Sequence, residues 1–387
     1  MSANHHSKIL VIAGESSGDR LAARALKNAI AAAKSRGDTL ELFGIGGDDC
    51  KKLGMNCLYT VEQMSVVGFL EVAKRYSFFR NVLKKIISLL DSKDHRPDIL
   101  FLVDYPGFNL RLAKEAHKRG IRVVFYVSPQ VWAWKASRVK DIVGSVDDMI
   151  VIFPFETDIY IKAGLVNTHF VGHPLLEIIE EERTGFISRE QFAAKFNLDA
   201  NKQWLLAFPG SRQEEVARHF DIMINAAENF SLKNNMLPII VESESVPASS
   251  YTSNSSINHF RSAKNIHELM SYSQLGILKS GTTTLEAALM GLSGVICYKT
   301  SAPTYVIAKR MIRLPFIGLA NIVLGKKLYP ELIQSEFTSE RIIRELELVM
   351  NQKEKFTEEL KHVWEILRAP NDSPSKRVAQ ILLGYAE

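Results

Sequence analysis

Asp104 ends the apolar run Ile-Leu-Phe-Leu-Val and opens the stretch Asp104-Tyr-Pro-Gly-Phe-Asn109. A carboxylate at the C-terminal end of a buried strand is partly desolvated, which raises its pKa and makes it a stronger base. The alternative is an Asp that ties down the following turn. Asn109 reads as the N-cap of the next helix. Arg212 lies in Phe208-Pro-Gly210-Ser211-Arg212-Gln-Glu-Glu215, where a strand ends, a turn follows and a helix begins. A guanidinium in such a turn can pair bidentately with phosphate, and the helix N-terminus adds backbone donors. Lys279-Ser280-Gly281-Thr282-Thr-Thr-Leu-Glu286 repeats the design. Its hydroxyls and amides suit a diphosphate, and Glu286, one helical turn in, suits ribose hydroxyls. Either loop alone is equally an ordinary cap. Together in one domain they favour nucleotide binding.

Gly14-Glu-Ser-Ser17-Gly18-Asp19 has the letters of a G-x-S-x-G nucleophile elbow. Its position argues against one, because an elbow needs earlier strands to supply the oxyanion loop and only about ten residues precede it. No Gly-Lys-Ser/Thr follows, so it is not a P-loop. What is left is a tight glycine turn at a helix N-terminus, with amides facing a phosphate or sugar hydroxyls, or a plain turn with its cap. Gly44-Ile-Gly46-Gly47 lacks dinucleotide spacing and reads as a turn. In Tyr126-Val-Ser-Pro-Gln-Val-Trp132-Ala-Trp134-Lys135, two tryptophans stand near Lys135, Arg138 and Lys140. They suit a sugar or an anionic head group, or are core rings beneath a basic helix face. No metal site emerges: His169 and His173 flank Gly172 around a strand and share no helix face. Cys50, Cys57 and Cys297 lack zinc or disulfide spacing and read as buried thiols. Basic residues are dispersed without nucleic-acid motifs, so no nucleic-acid partner is expected.

Strands and helices must hold these loops. Apolar runs at 9–13, 40–44, 99–103, 123–127, 149–153 and 169–171 do not alternate, which predicts strands buried on both faces of a parallel sheet. Helical patterns fall between them, at 19–35, 110–119 and 131–143. A second series has strands at 204–208, 239–242, 275–278 and 295–298, with helices at 214–230, 283–290 and 304–312. Helices at 339–367 and 374–385 end the chain. The pattern breaks in an acidic stretch near 174–203, which sets the domains at 1–174, 175–365 and 366–387. The fold class is α/β, two Rossmann-like domains facing a cleft, with chemistry at the C-terminal strand edges.

Composition agrees: 387 residues, 46% hydrophobic and 24% charged, enough for two domains and too apolar for disorder. No run nears the roughly 18 apolar residues of a spanning helix. The start has no signal-peptide pattern, so a cytoplasmic location is expected. The net charge of +5 is concentrated: residues 69–93 carry +4 of it, with Lys74, Arg75, Arg80, Lys84, Lys85 and Lys93 against Glu71 and Asp91. The same segment is more apolar than one helix stripe needs, through Phe69, Leu70, Val72, Tyr76, Phe79 and others. That suits a membrane surface or acyl chains, the alternative being one buried helix.

In this order, the motifs resemble those of the lipid-A-disaccharide synthase family. The matching stretches are Ala13-Gly-Glu-Ser-Ser-Gly-Asp19, Gly44-Ile-Gly-Gly47, Gly68-Phe-Leu-Glu-Val72, Asp104-Tyr-Pro-Gly-Phe-Asn109 and Tyr126-Val-Ser-Pro-Gln-Val-Trp-Ala-Trp134. Phe155-Glu156, Phe170-Val-Gly-His-Pro174, Pro209-Gly-Ser-Arg212, Ser280-Gly-Thr282 with Leu285-Glu286, Asn321 and Pro330-Glu-Leu-Ile-Gln334 continue it. The tryptophan-bearing stretch is the most specific. The resemblance implies a GT-B fold with the last helix crossing back to the first domain. It implies transfer of 2,3-diacylglucosamine from its UDP derivative to 2,3-diacylglucosamine 1-phosphate (lipid X), with inversion and a β-1,6 link. The work is done at the cytoplasmic face of the inner membrane, an anionic surface, with no cofactor and no metal. A homodimer through the C-terminal helices stays open.

The resemblance also makes Asp104 the key aspartate and Arg212 the key arginine. Donor contacts would be Gly210, Ser211, Arg212, Ser280, Gly281, Thr282, Glu286, Asn321 and Gln334. Gly14, Ser17, Gly18 and Asp19 form the glycine-rich cleft loop. Phe69, Leu70, Val72, Tyr76, Phe79, Arg80, Trp132 and Trp134 would meet the acceptor and its lipid. Two positions depart from the family: Gly107, where members often carry a second acid, and Leu292-Ser-Gly294, where they often have proline. The competing readings are a UDP-sugar epimerase, which leaves 69–93 unexplained, and a non-catalytic nucleotide-sugar binder, which would tolerate loss of Asp104.

Overall fold

Strands without alternation must be covered on both faces, and two parallel sheets meet that demand. A computed structural model describes residues 5–64, 76–133, 137–252, 257–311 and 314–384. The chain forms two units, Met1–Pro174 with Arg368–Glu387, and Leu175–Leu367. The first holds β1 (His6–Ala13), β2 (Thr39–Gly46), β3 (Asn56–Thr60), β4 (Ile99–Val103), β5 (Arg122–Tyr126), β6 (Asp148–Val151) and β7 (Thr168–Phe170). They pair in the order β3-β2-β1-β4-β5-β6-β7, every pair parallel. Alternate residues of β1 serve opposite cores. Leu10 and Ile12 pack with Val82, Ile86 and Leu112 on one side; Ile9 and Val11 pack with Ala22, Leu26 and Ala29 on the other.

The second unit holds β8 (Gln203–Phe208), β9 (Met236–Val241), β10 (Asn258–Phe260), β11 (Leu275–Lys279), β12 (Ser293–Tyr298) and β13 (Glu331–Ile333). Their order is β10-β9-β8-β11-β12-β13, again with every pair parallel. In each sheet the winding direction reverses once, between β1 and β4 in the first and between β8 and β11 in the second. Loops on either side of such a reversal diverge and leave a crevice at the carboxyl ends of the strands.

The parallel α/β expectation therefore holds for both sheets. The edge strands β3, β10 and β13 are additional to those read from the sequence. They are short, β3 is nowhere fully buried, and none makes a continuous apolar run. The helix expected over 131–143 is a turn at 131–133 followed by a helix only at Arg138–Val143. The acidic stretch at the boundary is helical, Pro174–Arg183, because Leu176 and Ile179 bury one side of it. The helix expected over 339–367 is two, Ser339–Met350 and Lys353–Leu367.

The last helix, Pro374–Leu382, belongs to the first unit. Val378, Ala379, Ile381 and Leu382 join the core beside Ala22, Ala25 and Ala29 of the helix Ser16–Ser35, whose small side chains allow close approach. Arg122, ion-paired with Asp148 at 2.9 Å, donates to the carbonyls of Ile381 at 2.8 Å and Leu382 at 3.1 Å. Both carbonyls lie at the helix end, where a cation is favoured by the helix dipole, and that of Ile381 also accepts from the Gly384 amide at 3.0 Å. Arg122→Ala should lower the opening free energy of residues 378–382 by about 1–3 kcal/mol. Amide hydrogen exchange reads this directly, and unchanged protection there would show that the guanidinium does not hold the helix.

Candidate active site

At the first sheet's reversal, the turns after β1 and β4 meet. Asp104 and Tyr105 follow β4 with φ of 48° and 50°, and Val127 follows β5 with φ of 66°. Left-handed backbone at non-glycine residues costs about 1–3 kcal/mol each and persists only where surroundings enforce it. The enforcement is visible. The Asp104 amide donates to the Tyr126 carbonyl at 2.9 Å. Asn109, fully buried, donates from Nδ2 to the Asp104 carbonyl at 2.7 Å. Asn109 is thus not the N-cap: it sits inside the helix Pro106–His117 and reaches back to fix the turn. The Tyr105 ring lies over Gly14, where a Cβ would come within 2.7 Å of it. Burial raises the Asp104 pKa, the Glu15 charge adds to the rise, and the Tyr105 amide draws it partly back. Asp104 is therefore a carboxylate made more basic than usual at the mouth of a crevice.

Other charged groups of these motifs are spent on structure. Asp19 is buried and accepts from the amides of Gly47 at 2.6 Å, Asp49 at 3.1 Å and Cys50 at 3.3 Å. It caps the short helix Asp48–Lys52, which explains why Gly14–Asp19 and Gly44–Gly47 occur together. Glu156 is buried and accepts from Ser128 Oγ at 2.7 Å, Trp132 Nε1 at 3.0 Å and the Phe153 amide at 3.1 Å. Burial raises its pKa against those three donors. Trp132, half-buried, is thereby pinned edge-on to Phe155 at 5.3 Å. His173, packed on Phe153, is pushed down by burial to about 3 and is neutral.

At the second sheet's reversal, β8 and β11 each run into a turn and a helix, Gln213–Asn234 and Thr282–Leu289. Gly210 has φ of 143°, and a Cβ there would lie 2.6 Å from the Cβ of Glu215. Glu215 accepts from the Ser211 amide at 3.2 Å and pairs with Lys279 Nζ at 3.0 Å. Both side chains are largely buried, so this ion pair ties one turn to the other. His219 is fully buried, and burial holds its pKa down. Nδ1–H donates to the Pro209 carbonyl at 2.7 Å and Nε2 accepts from the Lys299 amide at 3.0 Å. Arg212 is different. Its side chain is exposed and makes no hydrogen bond or ion pair with the described residues.

Ser280 donates from Oγ to the Ile317 carbonyl at 2.8 Å, and the Ile317 and Gly318 amides donate to Glu331 at 3.0 Å each. Asn321 is fully buried with its amide saturated: Nδ2 donates to the Tyr329 carbonyl and Glu331, and Oδ1 accepts from the Leu328 and Tyr329 amides, all at 2.9 Å. Gln334 clamps the backbone of Thr300, accepting from its amide at 2.7 Å and donating to its carbonyl at 3.1 Å. Both residues therefore hold loops and have little left for a ligand. Glu286, partly exposed, lies 3.9 Å from His267.

The helix Tyr76–Leu90 buries Val82, Ile86 and Leu90, while Phe79 packs half-buried against the same core. The excess of apolar residues thus widens a core-facing stripe. Tyr76, Arg80, Lys84 and Lys85 are exposed. Phe69, Leu70, Val72 and Trp134 lie outside the described residues. Among those described, no group of three or more His, Cys, Asp or Glu is placed to hold a metal. The sequence reading missed Glu215, Lys279, Glu331 and His267. Lys279, directly before Ser280, was the one with a local signal.

Residues 9–382 match the family described as Lipid-A-disaccharide synthetase. The lipid-A-disaccharide synthase of Trichlorobacter lovleyi is 36% identical over 394 residues, covering 100% of both chains. Among solved structures, a UDP-GlcNAc 2-epimerase from Neisseria meningitidis aligns over 98% of this chain and 99% of its own, with TM-score 0.59 and 12% identity. A glycosyltransferase from Rickettsia africae aligns over 99% and 100%, with TM-score 0.57 and 13% identity. The two structures establish the GT-B fold, and sequence over full length decides between the activities their names suggest: the chain belongs to the lipid-A-disaccharide synthase family of glycosyltransferases.

Proposed function

We propose that this enzyme transfers 2,3-diacylglucosamine from its UDP derivative to the 6-hydroxyl of 2,3-diacylglucosamine 1-phosphate. The observation that carries the reading is Arg212, an exposed guanidinium at the N-cap of Gln213–Asn234 beside the reversal of the second sheet, with no hydrogen bond or ion pair among the described residues. Few ligands other than a phosphorylated one make use of such a place. Arg212, Gly210 and Ser211 take the diphosphate together with the Ser280–Thr282 turn, and Glu286 takes the ribose. Asn321, Gln334 and Lys279 act through the loops they hold. Asp104 removes the acceptor proton as its oxygen bonds to the anomeric carbon. The bond from that carbon to the diphosphate oxygen breaks, and UDP leaves with the electron pair. One displacement from the opposite face inverts the carbon. Arg212 and the backbone amides balance the negative charge that develops on the leaving UDP, so no metal is required by this scheme. The reaction is placed at the cytoplasmic face of the inner membrane. No helix among the described residues is long and apolar enough to cross a bilayer.

Incubation with UDP-diacylglucosamine, with and without the phosphorylated acceptor, tests the reaction. UDP release only with acceptor is expected; isomerised donor would mean an epimerase, and no turnover a binder.

Asp104→Asn should lower turnover about 10²–10⁴-fold and leave UDP affinity unchanged. It should also stabilise the fold. The folded-state pKa of Asp104 is raised, so the wild type loses stability as pH rises from the unfolded pKa through the folded one, and the Asn variant does not. A thermal melt series in which the variant's advantage fails to grow across that window would contradict the burial argument. Wild-type turnover would remove Asp104 as the base.

Arg212→Ala should weaken UDP binding about tenfold to a hundredfold, as expected for a lost charge-assisted pair; calorimetry showing wild-type affinity would refute its role. The triple change Arg80→Ser, Lys84→Ser, Lys85→Ser should weaken binding to anionic vesicles by about 1 kcal/mol per charge. Sedimentation with those vesicles measures it, and unchanged binding would move the membrane contact elsewhere.

A further inference from the structure

Glu182, His267 and Glu286 form a row across three helices of the second unit. Glu182 is in Pro174–Arg183, His267 in Ile266–Tyr272 and Glu286 in Thr282–Leu289. Nδ1 of His267 lies 2.6 Å from Glu182 Oε2, and Nε2 lies 3.9 Å from Glu286 Oε1. The imidazole is 7% exposed and Glu286 is 23% exposed. Nε2 is shut off from solvent and has no hydrogen-bond partner among the described residues. A buried polar atom left in that state calls for an explanation.

We propose that His267 is a positioning residue for the donor site: anchored by Glu182, it holds the Glu286 carboxylate where a ribose can use it. The proposal rests on the reading of Glu286 as the ribose acceptor. Nε2 itself is too enclosed to touch a ligand, so it acts through Glu286, whose partly exposed carboxylate can reach one. An imidazolium serves this purpose and a neutral ring does not. With Nδ1–H given to Glu182, a neutral ring would turn the Nε2 lone pair onto the Glu286 carboxylate and repel it.

The charges around the ring favour the cation. Burial alone would lower the His267 pKa, but the Glu286 and Glu182 carboxylates outweigh burial and raise it. Two nearby charged groups are engaged elsewhere. Arg183 donates to the Leu289 carbonyl at 3.4 Å and lies over Trp364 at 5.0 Å. Glu268 accepts from the Ile187 amide at 2.8 Å and Asn265 Nδ2 at 3.3 Å. Lys264, in the short turn before the His267 helix, is exposed. The consequence is a donor site that favours nucleotides with free ribose hydroxyls and loses that preference as pH rises through the His267 pKa.

Calorimetry with UDP and with 2′,3′-dideoxy-UDP tests this on the full-length protein. Wild type should prefer UDP by about tenfold, the scale of one hydrogen bond to a charged group. His267→Ala should lose that preference while binding dideoxy-UDP as wild type does. His267→Gln, which keeps an N–H donor but does not titrate, should retain part of the preference and show no alkaline loss. Equal weakening of both ligands in His267→Ala, or an unchanged preference, overturns the proposal. Glu286→Ala separates the two possible failures. If it too leaves the preference intact, the ribose reading of Glu286 fails. If it abolishes the preference while His267→Ala does not, the role of His267 alone fails.

Discussion

A parallel strand covered on both faces has nowhere to be polar except at its ends. That constraint governs both units. Every strand of a sheet points the same way, so all the carboxyl ends open on one edge. Where the strand order reverses, the loops on either side diverge and expose backbone amides that the sheet no longer uses. The two reversals fall between β1 and β4 and between β8 and β11. The residues of chemical interest follow from this: Gly14 and Asp104 on one sheet, Arg212 and Ser280 on the other. No separate device is needed to gather each group, because strand pairing already sets β1 against β4 and β8 against β11 in register.

Placing charge at those ends has a cost that the surroundings offset. Asp104, Tyr105 and Val127 hold left-handed backbone, and for Val127 the β-branch makes this a severe outlier. The Asn109 amide and the Tyr105 ring keep the first turn in that state. In the second unit, a largely buried Lys279–Glu215 pair plays the equivalent part. Removing one partner of such a pair leaves the other charged and desolvated, a loss of about 3–5 kcal/mol. That is weak evidence for net stability but strong evidence that the two turns are fixed relative to each other. In the proposed scheme a diphosphate draws its donors from both turns, and that rigidity holds them in place.

The alternation of strand and helix was legible because buried strands are written as uninterrupted apolar runs and glycine turns mark their ends. What escaped were β3, β10 and β13, edge strands with too little buried surface to leave such a run. The same division applies to the sites. The positions of Asp104, Arg212 and Ser280 were legible because Asp104 and Ser280 directly follow a strand and Arg212 lies in the turn after one. Glu215, Glu331 and His267 were not, since the pairs Glu215–Lys279, Glu331–Ile317 and His267–Glu182 join separate segments. The segment from Tyr76 onward divides its residues: Phe79, Leu83 and Ile87 widen the packing against the core, while Tyr76, Arg80, Lys84 and Lys85 stay exposed.

Saturation of hydrogen bonds separates the residues that build from those that act. Asp19, Glu156 and Glu215 sit in the first turns of helices and Glu331 begins β13, and each carboxylate accepts from backbone amides at 3.3 Å or less. Asn321 spends its whole amide in the same way. These groups stand in for missing secondary structure at the ends of strands and helices. Asp104, Arg212 and Glu286 are not consumed in this manner. Asp104 is instead desolvated beside Glu15, Arg212 faces outward, and Glu286 stands short of hydrogen-bond contact with His267. A folded chain tolerates unsatisfied or strained charge only where something else compensates. In the proposed scheme that partner is the substrate, and the incomplete bonding of three residues, set among many whose bonding is complete, is what supports placing the site there.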